Sequence, residues 1–174
     1  SELGEAYELN GQYNDAVMEY KKAEYLNPND PAIHFKIGKD LESRGKFEEA
    51  LEKYQAVKEL DSSNVELYYR CGKLYQRLEM SDEALAEFET IAKLKPDWLE
   101  IRYELANLYG ERGQYDLQIK EYEAIAAHDT TSPEVMKSLA ASYAANGELN
   151  RAIEYYNQAL ASTPEDYEIP ERLY

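Results

Sequence analysis

The feature that most restricts the fold of this chain is a repeat of 34 residues, which keeps one phase from end to end. Small residues recur at this interval, at Gly4, Gly38, Gly72, Ala106 and Ala140. An aromatic residue follows each of them at a constant distance, at Tyr20, Tyr54, Phe88, Tyr122 and Tyr156. Such a period predicts one structural unit that is stacked along the chain. The repeats are 1–30, 31–64, 65–98, 99–132 and 133–166, and residues 167–174 begin a sixth.

Each repeat predicts two amphipathic helices, because apolar residues recur three, four and seven positions apart. First helices are expected near 31–44, 65–78, 99–112 and 133–146. Second helices are expected near 13–26, 47–60, 81–94, 115–128 and 149–162. Asp30-Pro31, Ser132-Pro133 and Asp166 supply the residue types that begin first helices.

The turn between the two helices of each repeat is expected to contain a residue with positive φ, a conformation that glycine adopts at low cost. Four repeats have glycine there, at Gly11, Gly45, Gly113 and Gly147. Glu79 stands at this place in the third repeat. The sequence therefore predicts that the turn of the third repeat differs locally from the turns of the other repeats.

This pattern resembles the tetratricopeptide repeat family over essentially the whole chain. In that family's numbering, the small column is position 8, a tyrosine column is position 11, alanine is position 20 and the aromatic column is position 24. Position 4, often tryptophan in the family, holds His34, Tyr68, Arg102 and Met136. The resemblance implies an all-α, right-handed superhelical solenoid of antiparallel helix pairs, forming one array over 1–174. Residues 167–174 would then be a partial or capping helix that covers the last repeat through Ile169 and Leu173.

Charge limits the partners of the chain. It has 19 basic and 35 acidic residues, a net charge of −16, which disfavours nucleic acids and anionic lipid surfaces. A hydrophobic share of 44% still permits a packed core. No apolar run approaches the ~18 residues that span a bilayer, so membrane insertion is not expected. No signal peptide is visible, and the compartment is unassigned, with the cytoplasm as the default.

Catalytic and metal-binding patterns are not found in the sequence. Cys71 is the single cysteine and stands in an apolar column, which favours a buried, unreactive thiol. His34 and His128 stand in different repeats, away from any ligand cluster. Phosphate loops, nucleophile elbows and zinc-protease motifs are not present in the sequence either. We therefore expect a protein that is not an enzyme and needs no cofactor or metal.

The family resemblance also implies a peptide-binding groove, lined by first helices at positions 2, 5, 6, 9, 12 and 13. The predicted groove residues are Phe35, Lys36, Lys39, Tyr69, Arg70, Lys73, Arg77, Tyr103 and Asn107. Two interpretations remain open. The cations either balance acids such as Glu66, Glu100 and Glu104 within the groove, or they hold a partner peptide that carries acidic and apolar residues.

The expected function is a protein–protein interaction scaffold or adaptor. The asparagines of the clamp that binds chaperone C-termini are missing, so that ligand is not predicted. One alternative is a self-assembling scaffold, as tetratricopeptide proteins form on bacterial organelle surfaces. Another is the regulatory segment of a larger enzyme.

Overall fold

A computed structural model describes residues 1–128 and 132–162, and all secondary structure in these ranges is helical. The first helices of the five repeats are α1 (Glu2–Leu9), α3 (Pro31–Ser43), α5 (Val65–Arg77), α7 (Leu99–Glu111) and α9 (Pro133–Ala145). The second helices are α2 (Tyr13–Leu26), α4 (Phe47–Leu60), α6 (Ser81–Leu94), α8 (Tyr115–His128) and α10 (Leu149–Ser162). The second helices have the predicted bounds, and α3, α5, α7 and α9 each end one residue early. The all-α class and the paired helices are confirmed.

Helix starts follow the cap chemistry of the sequence. The Asp30 carboxylate accepts hydrogen bonds from the amides of Ala32 and Ile33, at 2.9 and 3.4 Å. Ser132 accepts one from the amide of Val135, at 3.4 Å. Both helices begin with a proline, which has no amide hydrogen to leave unpaired. The predicted cap Asp166 and the helix expected over 167–174, with Ile169 and Leu173, lie outside the described residues.

The turn at Glu79 does not differ from the others, so that prediction is wrong. Glu79 has a φ of 59°, close to the 74° of Gly45. The Glu79 amide donates to the Gln76 carbonyl at 3.1 Å, and the Gly45 amide likewise donates to the Glu42 carbonyl at 3.0 Å. The packing of the two helices therefore sets the turn, and Glu79 takes a left-handed conformation that costs a non-glycine residue about 1–2 kcal/mol.

Small residues at position 8 allow close contact between the two helices of a repeat. A methyl group added to Gly38 would lie 2.6 Å from Cε1 of Tyr54, and one added to Gly72 would lie 2.6 Å from Cε1 of Phe88. Both rings are fully buried. The residues of the glycine and aromatic columns are thus in direct contact within each of these repeats.

The chain forms two compact parts, which we call the N-terminal subdomain (Ser1–Leu94) and the C-terminal subdomain (Lys95–Tyr174). Each has its own apolar core. The N-terminal core includes Tyr20, Ile37, Tyr54, Leu67 and Leu74. The C-terminal core includes Ile119, Tyr122, Ile125, Leu139 and Tyr143.

In three repeats, the side chain at position 4, where the family often has tryptophan, forms a hydrogen bond to the preceding loop. His34 Nε2 donates to the carbonyl of Pro28 at 2.6 Å, and the Tyr68 hydroxyl donates to the carbonyl of Ser62 at 3.0 Å. Arg102 Nε donates to the carbonyl of Pro96 at 2.9 Å. Three different side chains therefore tie a first helix to the same carbonyl of the loop that precedes it.

Two ion pairs join neighbouring second helices in the N-terminal subdomain. Lys53 on α4 binds Glu24 on α2 at 2.5 Å. Lys58 on α4 binds both carboxylate oxygens of Glu87 on α6, at 2.6 and 2.7 Å. The second pair is nearly buried, with side chains 9% and 11% exposed. Both pairs join position 28 of one repeat to position 23 of the next. Position 28 holds the acid in the first pair and the base in the second.

Candidate functional site

The predicted groove residues fall in both subdomains. Phe35, Lys36 and Lys39 lie on α3, and Tyr69, Arg70, Lys73 and Arg77 lie on α5. We call this set, all in the N-terminal subdomain, the first-helix face. Tyr103 and Asn107 lie exposed on α7 of the C-terminal subdomain.

Each aromatic residue at position 5 packs on the aromatic residue at position 24 of its own repeat. The ring centroids of Phe35 and Tyr54 are 5.8 Å apart, and those of Tyr103 and Tyr122 are 6.3 Å apart. Tyr69 packs on the ring of Phe88 in the same way, at 6.5 Å. Phe35 and Tyr69 are half-buried, whereas Tyr103 is 40% exposed. These rings therefore belong partly to the core and still present an edge to solvent.

Lys36 belongs to a three-part network around a carboxylate. Glu8 Oε2 accepts hydrogen bonds from Lys36 Nζ and from the Tyr20 hydroxyl, both at 2.9 Å. Burial would raise the pKa of Glu8, but the hydrogen bonds from Lys36 and Tyr20 outweigh it and hold that pKa below its usual value. Burial and the neighbouring carboxylate raise the pKa of Tyr20.

The same network recurs one repeat later, around Glu42. The Tyr54 hydroxyl donates to Glu42 Oε2 at 2.6 Å, and Arg70 Nη1 donates to the same oxygen at 3.1 Å. Arg70 Nη2 also binds Glu66, at 2.9 Å. Burial and the Glu42 carboxylate raise the pKa of Tyr54. Arg70 therefore joins α5 to α3 through groups that are already partnered.

The other cations of the first-helix face lie over aromatic rings. Lys39 Nζ is 6.0 Å from the centroid of Phe35, and Lys73 Nζ is 5.9 Å from the centroid of Tyr69. The Arg77 guanidinium is 5.4 Å from the centroid of Phe47. Among residues 1–128 and 132–162, neither Lys39 nor Arg77 forms an ion pair. Lys36 and Arg70 thus pair with internal acids, whereas Lys39 and Arg77 form no ion pair with the described residues.

A cavity opens at the edge of this face. It has a volume of about 250 Å³ and lies between α1, α2 and α3. Lys36, Lys39 and Ser43 line it together with Tyr13 and Val17. It therefore places the lysines beside apolar side chains and beside the carboxylates of Glu8 and Asp40.

The sequence did not reveal the acceptors at Glu8 and Glu42. Each lies 28 residues before the cation that it binds. A signal did exist: glutamate at position 12 is followed by tyrosine at position 24 and by a cation at position 6 of the next repeat. This combination occurs twice in a row, in repeats 1–2 and 2–3.

Groups with catalytic or metal-binding chemistry do not gather at this face. Cys71 is 1% exposed, and burial, together with Glu87, raises the pKa of its thiol to about 12. In the part of the chain that the structure describes, no three His, Cys, Asp or Glu side chains converge as metal ligands would. No helix of that part combines the length and the apolar character needed to cross a membrane.

Comparison with known proteins gives consistent results for the repeats. Residues 4–42 and 38–79 match the family described as TPR repeat. Residues 69–133 and 133–166 match families described as tetratricopeptide repeat. A search of curated proteins found no match.

Several solved structures are similar in fold. A crystal structure of MamA is 23% identical, with a TM-score of 0.72, over 97% of this chain and 93% of that chain. YrrB, described as a TPR protein with an unusual peptide-binding site, is 18% identical, with a TM-score of 0.72, over 94% and 84% of the two chains. A tetratricopeptide repeat protein from Parabacteroides merdae is 21% identical, with a TM-score of 0.71, over 95% and 66%. At these identities the similarity concerns the fold.

Proposed function

Because the chain belongs to the tetratricopeptide repeat family, we propose that it is a protein-interaction scaffold that acts by binding rather than by catalysis. Its helix pairs expose long rows of side chains on a repetitive framework, which suits recognition of extended partners. The buried thiol of Cys71 and the shared hydrogen bonds of Glu8 and Glu42 have structural roles that fit this reading.

The first-helix face would hold a peptide that carries acidic and apolar residues. The observation that carries this proposal is that Lys39 and Arg77 lie over aromatic rings and form no ion pair in residues 1–128 and 132–162. Carboxylates of the peptide would bind these two cations, and its apolar side chains would contact the exposed edges of Phe35 and Tyr69. Arginine and aromatic rings are the residue types that contribute most to interface energies.

Charge reversal at Lys39 and Arg77 tests the proposal better than reversal at Arg70. Arg70 binds Glu42 and Glu66, so its reversal would also disturb the packing of α3 and α5. The test variant is therefore Lys39→Glu with Arg77→Glu. The matched control is Lys21→Glu with Lys120→Glu, which changes the net charge equally at exposed sites away from this face.

A fluorescent peptide of alternating glutamate and leucine serves as the probe. We expect the test variant to bind it at least about tenfold more weakly than the wild type, and the control to stay within about twofold. The wild-type affinity should fall as salt rises. Equal weakening of both variants would show that net charge alone governs the binding and would remove the first-helix face as the site.

Self-association is a second candidate function, favoured by apolar side chains that remain exposed. On α2, Met18, Tyr25 and Leu26 are 58%, 89% and 82% exposed and line a cavity of about 560 Å³. On α10, an apolar stripe is exposed at Leu149, Ile153, Tyr156 and Leu160. Sedimentation velocity over a wide concentration range should show association that Tyr25→Ser with Leu26→Ser reduces. A strict monomer throughout would eliminate this function.

A further inference from the structure

The N-terminal subdomain has a third cavity, away from the first-helix face, which is lined by acidic side chains. It lies between α4, the end of α5 and the start of α6, and has a volume of about 480 Å³. Its wall is apolar and is formed mainly by Leu51, Tyr75, Leu78 and Met80. This volume is within the range of ligand and side-chain pockets, roughly 300–1,000 Å³.

Carboxylates surround this apolar wall. Glu48 and Glu52 stand on α4, one helical turn apart, and Glu83 stands on α6 across the opening. We call the whole feature the acidic-rimmed cavity. Neighbouring like charges on a helix repel each other, so an added cation would be stabilised here. Burial raises the pKa of the Tyr75 hydroxyl, and Glu87, then Cys71 and Glu83, add to that rise.

The rim is not neutralised from within. Within residues 1–128 and 132–162, none of Glu48, Glu52 and Glu83 forms an ion pair. The lysines of α4 do not pair with these three carboxylates, because Lys53 binds Glu24 and Lys58 binds Glu87, a fourth carboxylate that also lines the cavity. The cavity therefore combines an apolar wall with three carboxylates that have no cation of their own.

We propose that the acidic-rimmed cavity docks a basic, apolar segment of a partner protein. An apolar side chain of that segment would fill the space over Leu51, Leu78 and Met80, and lysine or arginine residues on either side of it would bind Glu48, Glu52 and Glu83. Such a site goes beyond the scaffold function proposed above, because it gives the same subdomain two surfaces that select partners of opposite charge.

The three methionines of the chain are natural reporters for this site. Met80 lines the acidic-rimmed cavity, Met18 lies on α2 and Met136 lies on α9. The experiment uses the full chain labelled with ¹³C in its methionine methyl groups, titrated with a peptide of alternating lysine and leucine. We expect the Met80 resonance to shift and to saturate, with the other two methionine resonances unchanged. A Met80 resonance that does not move would overturn the proposal.

Charge variants separate this site from general attraction to an acidic protein. The test variant is Glu48→Gln with Glu52→Gln and Glu83→Gln. The control is Glu2→Gln with Glu59→Gln and Glu154→Gln, which removes the same charge from exposed positions elsewhere. We expect the test variant to bind the basic peptide about tenfold more weakly and the control to stay within about twofold. Equal weakening would overturn the proposal, as would equal binding by the wild type and the test variant.

A second line of evidence tests the apolar wall. Met80→Gln keeps the charge and replaces an apolar side chain that is 38% exposed, so we expect folding to be retained and peptide affinity to fall about fivefold. The peptide of alternating glutamate and leucine should leave the Met80 resonance unshifted. If Met80→Gln binds the basic peptide as the wild type does, the cavity is not occupied and the docking proposal is wrong.

Discussion

Breaking the ion pair between Lys58 and Glu87 should destabilise the N-terminal subdomain far more than breaking a comparable exposed pair. Lys58 Nζ lies 2.6 and 2.7 Å from the two carboxylate oxygens and 4.5 Å from the centroid of the Tyr68 ring. At an effective dielectric constant of about 20, such charges attract by about 6 kcal/mol, most of which offsets the loss of hydration. Lys58→Met removes the attraction and leaves Glu87 without its partner in a nearly buried place.

The expected cost follows from this burial. Removing one partner of a buried pair costs about 3–5 kcal/mol. Glu87 also lines the acidic-rimmed cavity, where water can approach its carboxylate, so we expect the lower end, about 3 kcal/mol. Lys58→Met with Glu87→Leu leaves no unpaired charge and should return to within about 1 kcal/mol of the wild type. Lys53→Met breaks the more exposed pair with Glu24, whose side chains are 30% and 25% exposed, and should cost about 0–1 kcal/mol.

Cys71 allows the effect to be measured in the correct subdomain. It is the single thiol of the chain, and it is 1% exposed in the N-terminal core. Where reclosing is fast, its rate of modification by a thiol reagent reports the population of the opened subdomain. Lys58→Met should therefore be modified about a hundredfold faster than the wild type. A rate within a few-fold of the wild type, or a double variant as fast as the single one, would refute the reasoning.

Further predictions concern the helix contact, the strained turn and alkaline pH. Gly72→Leu should lower the melting temperature at a cost of about 1–3 kcal/mol, because any side chain there meets the Phe88 ring; an unchanged melting temperature in calorimetry would contradict the packing of that repeat. Glu79→Gly should raise the free energy of unfolding in urea by about 1 kcal/mol, because glycine adopts a φ of 59° at little cost, and the absence of any gain would mean that Glu79 is unstrained. Burial and the hydrogen bond to Glu123 raise the pKa of Tyr143 to about 12, above its unfolded value of about 10, so its stabilising effect is complete below pH 10 and is lost as pH rises through 12. Melting temperatures of the wild type and Tyr143→Phe should therefore converge at high pH, and a constant difference would contradict this.

The helix pattern was predictable because it depends on local signals with a fixed period. The apolar spacing predicted the first and last residue of each second helix. Asp30 and Ser132 predicted the starts of two first helices, where their side chains accept cap hydrogen bonds. The turn at Glu79 was not predictable from its residue type. Its geometry is set by two helices that pack over their whole length, and that packing outweighs the backbone preference of one glutamate.

The site was harder to predict, because side-chain partners lie far apart in sequence. From the sequence, Lys36 at position 6 and Lys39 at position 9 looked equally available, yet Lys36 binds Glu8 and Lys39 lies over the Phe35 ring. Only the packing of one repeat against the next decides which of the two lysines forms an ion pair. The acidic-rimmed cavity was missed for the same reason, since its wall combines residues from three helices.

The alternating polarity of the two second-helix ion pairs has a consequence for how this gene can change. Position 28 holds Glu24 in the first repeat and Lys58 in the second, while position 23 holds Lys53 in the second and Glu87 in the third. A tandem duplication of the second repeat would bring a lysine at position 28 against a lysine at position 23. A deletion of that repeat would bring Glu24 against Glu87. Both products of unequal recombination would put like charges at a closely packed junction, so the second repeat cannot be duplicated or lost without a compensating substitution.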